Sequence, residues 1–305
     1  MSKHKNPVAK YLQVSAPVNA AIVVLFILLA LLCVVPAIFV LIISLTSENA
    51  IRLNGYQFIP AEWSLDAYAW LWKSRDYIGR SFLNSIGITL VGTITGLFMC
   101  STMAYGLSRS NYRLRGFFTV YIFIPMLFSG GLVSSYMINS QIFKLSNTYW
   151  ALILPAIASS WYIVIMRTFF QTTVPDAVVE SAKIDGASQS RIFWQIVLPI
   201  SLPALATIGL FFAFAFWNDW FLAKMYLDTN RKDLYPLQYL LMSIESNIDF
   251  LQANKDFFTA GTQMTIPSET IRMAIVMVLV VPIACTYPFF QRYFISGLTI
   301  GAVKG

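Results

Sequence analysis

The chain has 305 residues, of which 57% are hydrophobic, 15% aromatic and only 11% charged, a balance that excludes an ordinary water-soluble domain and points to a lipid-embedded protein. The net charge of +7 does not signal nucleic acid, because the Lys and Arg residues are dispersed through connections between apolar stretches instead of forming a stripe. Cys33, Cys100 and Cys285 stand alone within apolar stretches, which argues against a disulfide framework or a zinc cluster and leaves the redox compartment open.

A hydrocarbon core of about 30 Å needs about 20 predominantly apolar residues in helical form. Six windows meet that length, so the expected fold class is an all-α membrane protein with six transmembrane helices. The first window runs from Ala20 to Leu45 with Pro36 inside it; it is longer than a signal-peptide core and has no clear cleavage site, so it reads as a retained anchor. Phe82 to Leu107, Phe117 to Ile138 and Tyr149 to Phe170 follow, rich in small and β-branched residues suited to close helix packing. Val197 to Trp220 and Ile271 to Phe290 complete the set, with prolines that neighbouring helices must accommodate. The domain plan is an N-terminal tail over 1–19, a six-span membrane domain over 20–290 and a C-terminal tail over 291–305.

Orientation follows from uncompensated positive charge near the spans. The N-terminus carries Lys3, Lys5 and Lys10, and the short second connection carries Arg109, Arg113 and Arg115 with no acid. The Thr46 to Ser81 connection balances its bases with Glu48, Glu62, Asp66 and Asp76. Both termini are therefore expected inside, with 46–81, 139–148 and 221–270 outside and the polar island 171–195 on the cytoplasmic face.

That island has a helix start at Thr173-Val174-Pro175-Asp176, a polar starter followed by proline and an acidic first turn. Asp185-Gly186 marks a break, since glycine tolerates positive φ. Ser188 is placed to cap a second helix in which Ile192, Phe193, Ile196 and Val197 share a face, with Pro199 where that helix meets the next span. The expected product is a helix-turn-helix knob over 173–199; the plainer alternative is an amphipathic connection lying on the bilayer.

Glu180-Ser181-Ala182 followed by Asp185-Gly186 and then by Ile196-Val197-Leu198-Pro199 resembles the cytoplasmic coupling motif of ABC importer permeases, whose pattern is Glu-Ala-Ala, Gly six residues after the Glu, and Ile-x-Leu-Pro. Only Ser181 departs from it. The resemblance covers essentially the whole chain and is closest to the maltose-type sugar permeases, through Arg80-Ser81-Phe82-Leu83-Asn84-Ser85, Ala104-Tyr105-Gly106-Leu107-Ser108-Arg109, Asn218-Asp219-Trp220 and the ending from Gln291 through Lys304. Phe128-Ser129-Gly130-Gly131-Leu132 is similar to a branch found with polysaccharide or complex-oligosaccharide importers, chiefly of Gram-positive bacteria.

The resemblance implies a type I ABC importer permease fold with a cytoplasmic coupling helix, in a multi-pass protein of the bacterial cytoplasmic membrane. It implies a subunit that binds no cofactor and does not hydrolyse ATP, paired with a homologous second permease. ATP and Mg would be bound by two partner ATPase subunits, and an extracellular solute-binding protein would deliver an oligosaccharide. The sequence agrees, since it has neither a G-x-x-x-x-G-K-[ST] phosphate loop nor H-E-x-x-H, and the sole histidine, His4, sits in a polar tail. The family roles carried onto this chain are ATPase contact for Glu180 and Asp185, close approach for Ala182 and the turn for Gly186. Ser181, Ile196, Leu198 and Pro199 complete that set, and the tail through Lys304 is a further contact seen in some members.

For the substrate path, Trp217, Asn218, Asp219 and Trp220 combine aromatic faces with hydrogen-bonding groups near the outer end of the fifth span, although an aromatic belt places Trp there for purely physical reasons. Asp219 is the ionisable functional candidate at that depth. Gly130 and Gly131 permit either a broken helix lining a cavity or close helix packing, with packing favoured. Met126, Met137 and Met166 read as bundle filling, and Glu245, Asp249 and Asp256 belong to a long external region over 228–270 that is either a lid or a solvated loop. Competing classes are a same-superfamily permease for a peptide or amino acid, which the sugar-type segments oppose, and an ion-driven secondary transporter, which should show charged relays within the spans.

Overall fold

The computed structural model describes residues 15–73, 75–253 and 269–302. Within these the chain is helical, with one isolated antiparallel bridge, Thr46 to Trp63, as its only extended pairing. Two compact units are formed, Met1–Trp72 with Met264–Met277, and Lys73–Gln263 with Val278–Gly305.

The first unit holds α1 (Ala16–Ser44), α2 (Glu48–Asn54), α3 (Asp66–Lys73, which ends one residue past the boundary) and the start of the last helix. Pro36 lies inside the uninterrupted α1, whose side chains are exposed along most of its length. Glu48 and Tyr56, from the segment after α1, hold the start of the last helix. Glu48 Oε2 accepts from the Thr270 backbone N–H (3.2 Å) and hydroxyl (3.1 Å), and the Tyr56 hydroxyl donates to Glu269 Oε2 at 2.9 Å. A carboxylate at a helix N-terminus satisfies an orphan N–H and opposes the helix dipole favourably.

The second unit contains α4 (Arg75–Ser108), α5 (Arg115–Leu127), α6 (Leu132–Met137, continued by a π turn Ile138–Ile142), α7 (Trp150–Ile153) and α8 (Ser160–Thr173). It continues with α9 (Asp176–Ile184), α10 (Gln189–Ile192), a π turn Phe193–Val197, α11 (Leu198–Ile200), α12 (Leu202–Trp217), α13 (Phe221–Tyr226) and α14 (Leu237–Ala253). The last helix, α15 (Glu269–Ala302), starts in the first unit and runs on into the second. Three helices, α1, α4 and the Glu269–Thr286 part of α15, are each long and apolar enough to cross a membrane. Three bent pairs bring the number of spans to as many as six: Arg115–Leu127 with Leu132–Ile142 (116°), Trp150–Ala156 with Ser160–Thr173 (49°) and Gln189–Ile200 with Leu202–Trp217 (83°).

In lipid there is little hydrophobic force between helices, so association relies on close van der Waals contact through small residues. The α4–α12 pair shows this. A Cβ on Gly92 would fall 2.6 Å from the Phe216 ring, and one on Gly96 would fall 2.8 Å from Phe212. The two phenylalanines, one helical turn apart, stack at 6.1 Å and fill the notch that the two glycines leave. The buried core gathers around this pair from α4, α8, the α9–α11 segment and α14.

The structure adjusts several sequence-based expectations. The window expected as the fifth span, 197–220, is not one straight helix: the chain bends by 83° at Ser201, between Gln189–Ile200 and Leu202–Trp217. Gly130 and Gly131 mark a helix break and not a packing contact. Gly131 takes φ +83° with open space around it, and the nearest atom to a Cβ on Gly130 would be Ser134 Cβ at 4.0 Å, so neither glycine packs against another helix among the described residues. Met166 is buried as expected, whereas Met126 and Met137, which flank that break, are exposed among the described residues. The N-terminal lysines, His4, Asp256 and Lys304 lie outside the described residues.

Candidate functional site

The polar island folds as an elbow. Pro175 ends the extended link after α8, and α9 opens with Asp176 in its first turn, where an acid suits the N-terminal dipole. At the tip Gly186 adopts φ +79°, a left-handed conformation that costs a residue with a Cβ roughly 1–2 kcal/mol. The Ala187 N–H then closes the turn onto the Ala182 carbonyl at 2.9 Å. Ser188 caps α10, its Oγ accepting from the Arg191 N–H at 3.2 Å. Ile192, Phe193 and Val197 are buried and Ile196 is half-buried, so the second leg presents to the core the face that its spacing predicts. The π turn lies just before Pro199, whose missing N–H removes a helical hydrogen bond.

Each leg is fixed from the inside. Val179 and Phe193 join the buried core, with Ala182, Ile196 and Leu198 packed against it. The Arg109 guanidinium, just past the end of α4, donates from Nη1 to Asp176 Oδ1 (3.0 Å), from Nη2 to the Phe170 carbonyl (3.2 Å) and from Nε to Ser108 Oγ (2.9 Å). The Tyr105 hydroxyl donates to Gln189 Oε1 at 2.9 Å, and its ring lies 5.2 Å from that of Phe193.

The outer surface of the elbow is free within this chain. Glu180, Ser181, Asp185 and Gly186 are all exposed, and Pro199 is exposed on the second leg. Ala182 is half-buried, so its small size serves packing against the core as well as any outside contact. Ile184, which the sequence reading passed over, is 87% exposed beside Asp185. An isoleucine between Lys183 and Asp185 at a turn was the available signal, since nothing in a solvated loop calls for it. In the sequence Arg109 is an orientation charge and the end of the Ala104–Arg109 segment; its contacts with α8 and α9 join residues far apart in the chain.

The substrate-path residues do not come together. Trp217 alone lines a cavity of about 560 Å³ among α4, α12 and the second-unit part of α15, with Thr89, Thr93, Gly209, Ala213 and Thr286 among its walls. The cavity is mostly apolar, yet the Thr89 and Thr93 hydroxyls and Trp217 Nε1 have no hydrogen-bond partner among the described residues. Asn218 turns back to the Phe214 carbonyl at 3.0 Å. Asp219 caps α13, its Oδ1 accepting from the N–H groups of Phe221 (3.0 Å) and Leu222 (3.3 Å). Trp220 is half-buried, edge-on to Phe221 and with the Lys224 ammonium 5.6 Å from its ring. Gly130 and Gly131 sit at the α5–α6 break and are not among the cavity walls.

Comparison with known proteins decides the family. Residues 88–300 match the family described as binding-protein-dependent transport system inner membrane component. The chain belongs to that family. It is 39% identical over 276 residues to the polygalacturonan/rhamnogalacturonan transport system permease protein YtcP of Bacillus subtilis, covering 90% of this chain and 94% of that one. It is 29% identical over 285 residues to the arabinooligosaccharides transport system permease protein AraQ of Halalkalibacterium halodurans, covering 92% and 94%. Among solved structures, a chain of a bacterial ABC transporter involved in the import of the acidic polysaccharide alginate superposes with a TM-score of 0.77 at 27% identity, over 96% of this chain and 100% of that one. The protein is thus an ABC importer permease with the type I fold, a non-catalytic membrane subunit whose ATP hydrolysis is carried out by separate subunits.

Proposed function

We propose that this permease is one half of a membrane heterodimer that imports an oligosaccharide, fed by an extracellular solute-binding protein and driven by two ATPase subunits that receive the elbow over 173–199. The observation that carries the reading is the elbow's asymmetry. Its inner face is buried and hydrogen-bonded to the helices, while Glu180, Ser181, Ile184, Asp185 and Gly186 stand exposed at its tip. A stiff, anchored projection with a mixed polar and apolar tip suits docking into a cleft of a soluble partner. With the elbow cytoplasmic and both termini inside, the connections 46–81 and 139–148 face outward, in the cytoplasmic membrane of a Gram-positive bacterium.

ATP-driven closure of the ATPases draws the elbows of the two permeases together and tilts the helices from inward-facing to outward-facing. Such coupling requires that nucleotide and loaded binding protein each favour one conformation, because equal affinity for both shifts no population. ATP and Mg belong to the ATPases. Glu180 and Asp185 supply polar contacts, Ile184 an apolar one, and Gly186 the turn that presents them; Ile196, Leu198 and Pro199 hold the second leg. Trp217 is the substrate-path residue best supported by its place at the cavity.

Co-purification tests the reading. The ATPase is expected to remain with the wild-type permease and to be lost from Glu180→Ala or Gly186→Val; full transport by this chain alone in liposomes would reject it. For the cargo, binding of neutral and acidic oligosaccharides to the cognate binding protein decides the class. Oligogalacturonides come first, since polygalacturonan and alginate name the transporters to which this chain is similar.

A further inference from the structure

We infer that Arg109 is a positioning residue for energy coupling: its guanidinium pins the first leg of the elbow to the end of α4, so that elbow movement is passed to that 34-residue helix and not absorbed at the α8–α9 bend. This rests on the coupling reading of the elbow. The bend is a weak point by construction. Helix α8 ends at Thr173, Val174 and Pro175 are extended, and α9 starts at Asp176, leaving two non-helical residues as the only covalent link between span and leg. Val179 and Ala182 pack α9 on the core, and apolar contacts of that kind resist sliding and rotation about this link less than directional hydrogen bonds do.

Arg109 supplies the brace. Its side chain is only 11% exposed, and it meets three helix ends at once. Ser108 is the last residue of α4, the Phe170 carbonyl belongs to the last turn of α8, and Asp176 opens α9. Each contact has an electrostatic reason. The cation adds a second donor to the Phe170 carbonyl, which already accepts the Val174 N–H at 3.2 Å, and suits the negative end of α8, and the carboxylate of Asp176 lies at a helix N-terminus and accepts a charge-assisted bond. A planar guanidinium serves several acceptors in fixed directions where an ammonium acts as a point charge. The guanidinium carbon also lies 5.6 Å from the Tyr105 ring, one turn back along α4. Tyr105 in turn bonds Gln189 of the second leg at 2.9 Å. One turn of α4 therefore grips both legs of the elbow, Arg109 the first and Tyr105 the second.

The test uses the complete transporter in liposomes, with the partner permease, ATPases and binding protein, and reads solute imported per ATP hydrolysed beside the amount of ATPase that co-purifies. Asp176 is 63% exposed, so Asp176→Asn keeps the fold while removing the charge. Asp176→Asn and Arg109→Gln are expected to retain the ATPase and its hydrolysis while import per ATP falls about tenfold. Asp176→Glu should restore the ratio, Arg109→Lys should not, and Tyr105→Phe should lower it by a smaller factor. The proposal is overturned by a wild-type ratio in Asp176→Asn, by equal damage from Asp176→Glu, or by loss of ATPase in step with loss of import, which would make Arg109 part of the dock and not of the linkage. Glu180→Ala serves as the reference. If it leaves both docking and import intact, the coupling reading itself fails and takes this one with it, whereas uncoupling by Glu180→Ala beside a normal Asp176→Asn removes this proposal alone.

Discussion

Two bends in this protein use the same backbone device to different ends. Gly186 at the elbow tip and Gly131 between α5 and α6 take φ of +79° and +83°, each with no atom within 4 Å of where a Cβ would sit. Around Gly186 both legs send side chains into the core, Val179 from one and Ile192, Phe193 and Val197 from the other. Around Gly131 none of the side chains of α6 is buried, and Phe128 is 73% exposed. A left-handed glycine sets only a direction change; burial of the flanking faces decides whether the bend holds its angle under load. The elbow is therefore wedged by buried apolar faces, whereas the α5–α6 bend rests on partly exposed contacts, Tyr136 stacked on Tyr226 at 5.7 Å and Asn139 bonded to the Tyr226 hydroxyl at 3.0 Å.

The largest expected effect is on packing. Phe193→Ala removes a buried ring 5.2 Å from that of Tyr105 and should destabilise the elbow by about 3–5 kcal/mol, while Phe128→Ala in the isolated subunit should stay within about 0.5 kcal/mol. Thermal unfolding in detergent measures both, and equal losses would break the distinction between the two bends. Next comes backbone strain. Gly186→Ala and Gly131→Ala should each cost about 1–2 kcal/mol, equal in unfolding assays because both sites are open. ATPase-coupled import should nevertheless fall more for Gly186→Ala, since its anchored legs cannot relax to absorb the change. The smallest effect is that of Ser188→Ala, which removes the cap of the second leg and should cost about 1 kcal/mol. It sharpens the contrast if protease nicking rises near Gly186 and not near Gly131.

Much of this was legible before any coordinates. Hydrophobic windows located the membrane helices because lipid demands long apolar stretches whatever the tertiary context, and Pro175, Gly186 and Ser188 announced the elbow because caps and positive φ are local requirements. The 192–193–196–197 pattern likewise named the leg's inner face. Other features needed the fold. Gly130-Gly131 allows either a broken helix or close packing on sequence alone, with packing favoured, and the bend at Ser201 falls inside the window 197–220, since an apolar run carries no record of where it turns. The fold also adds that the Asp219 carboxylate accepts from the first N–H groups of α13, and that of Trp217 to Trp220 only Trp217 lines the cavity.

By itself the sequence determined the class of protein, its apolar spans and the form of the elbow, all of which follow from interactions among residues a few positions apart. Only the tertiary structure decided what anchors that elbow. Arg109 meets Asp176 from 67 positions away and Tyr105 meets Gln189 from 84, and partners so distant are chosen by how α4, α8 and α12 pack, with Phe212 and Phe216 seated on Gly96 and Gly92. Local rules of propensity and capping hold no information about that choice.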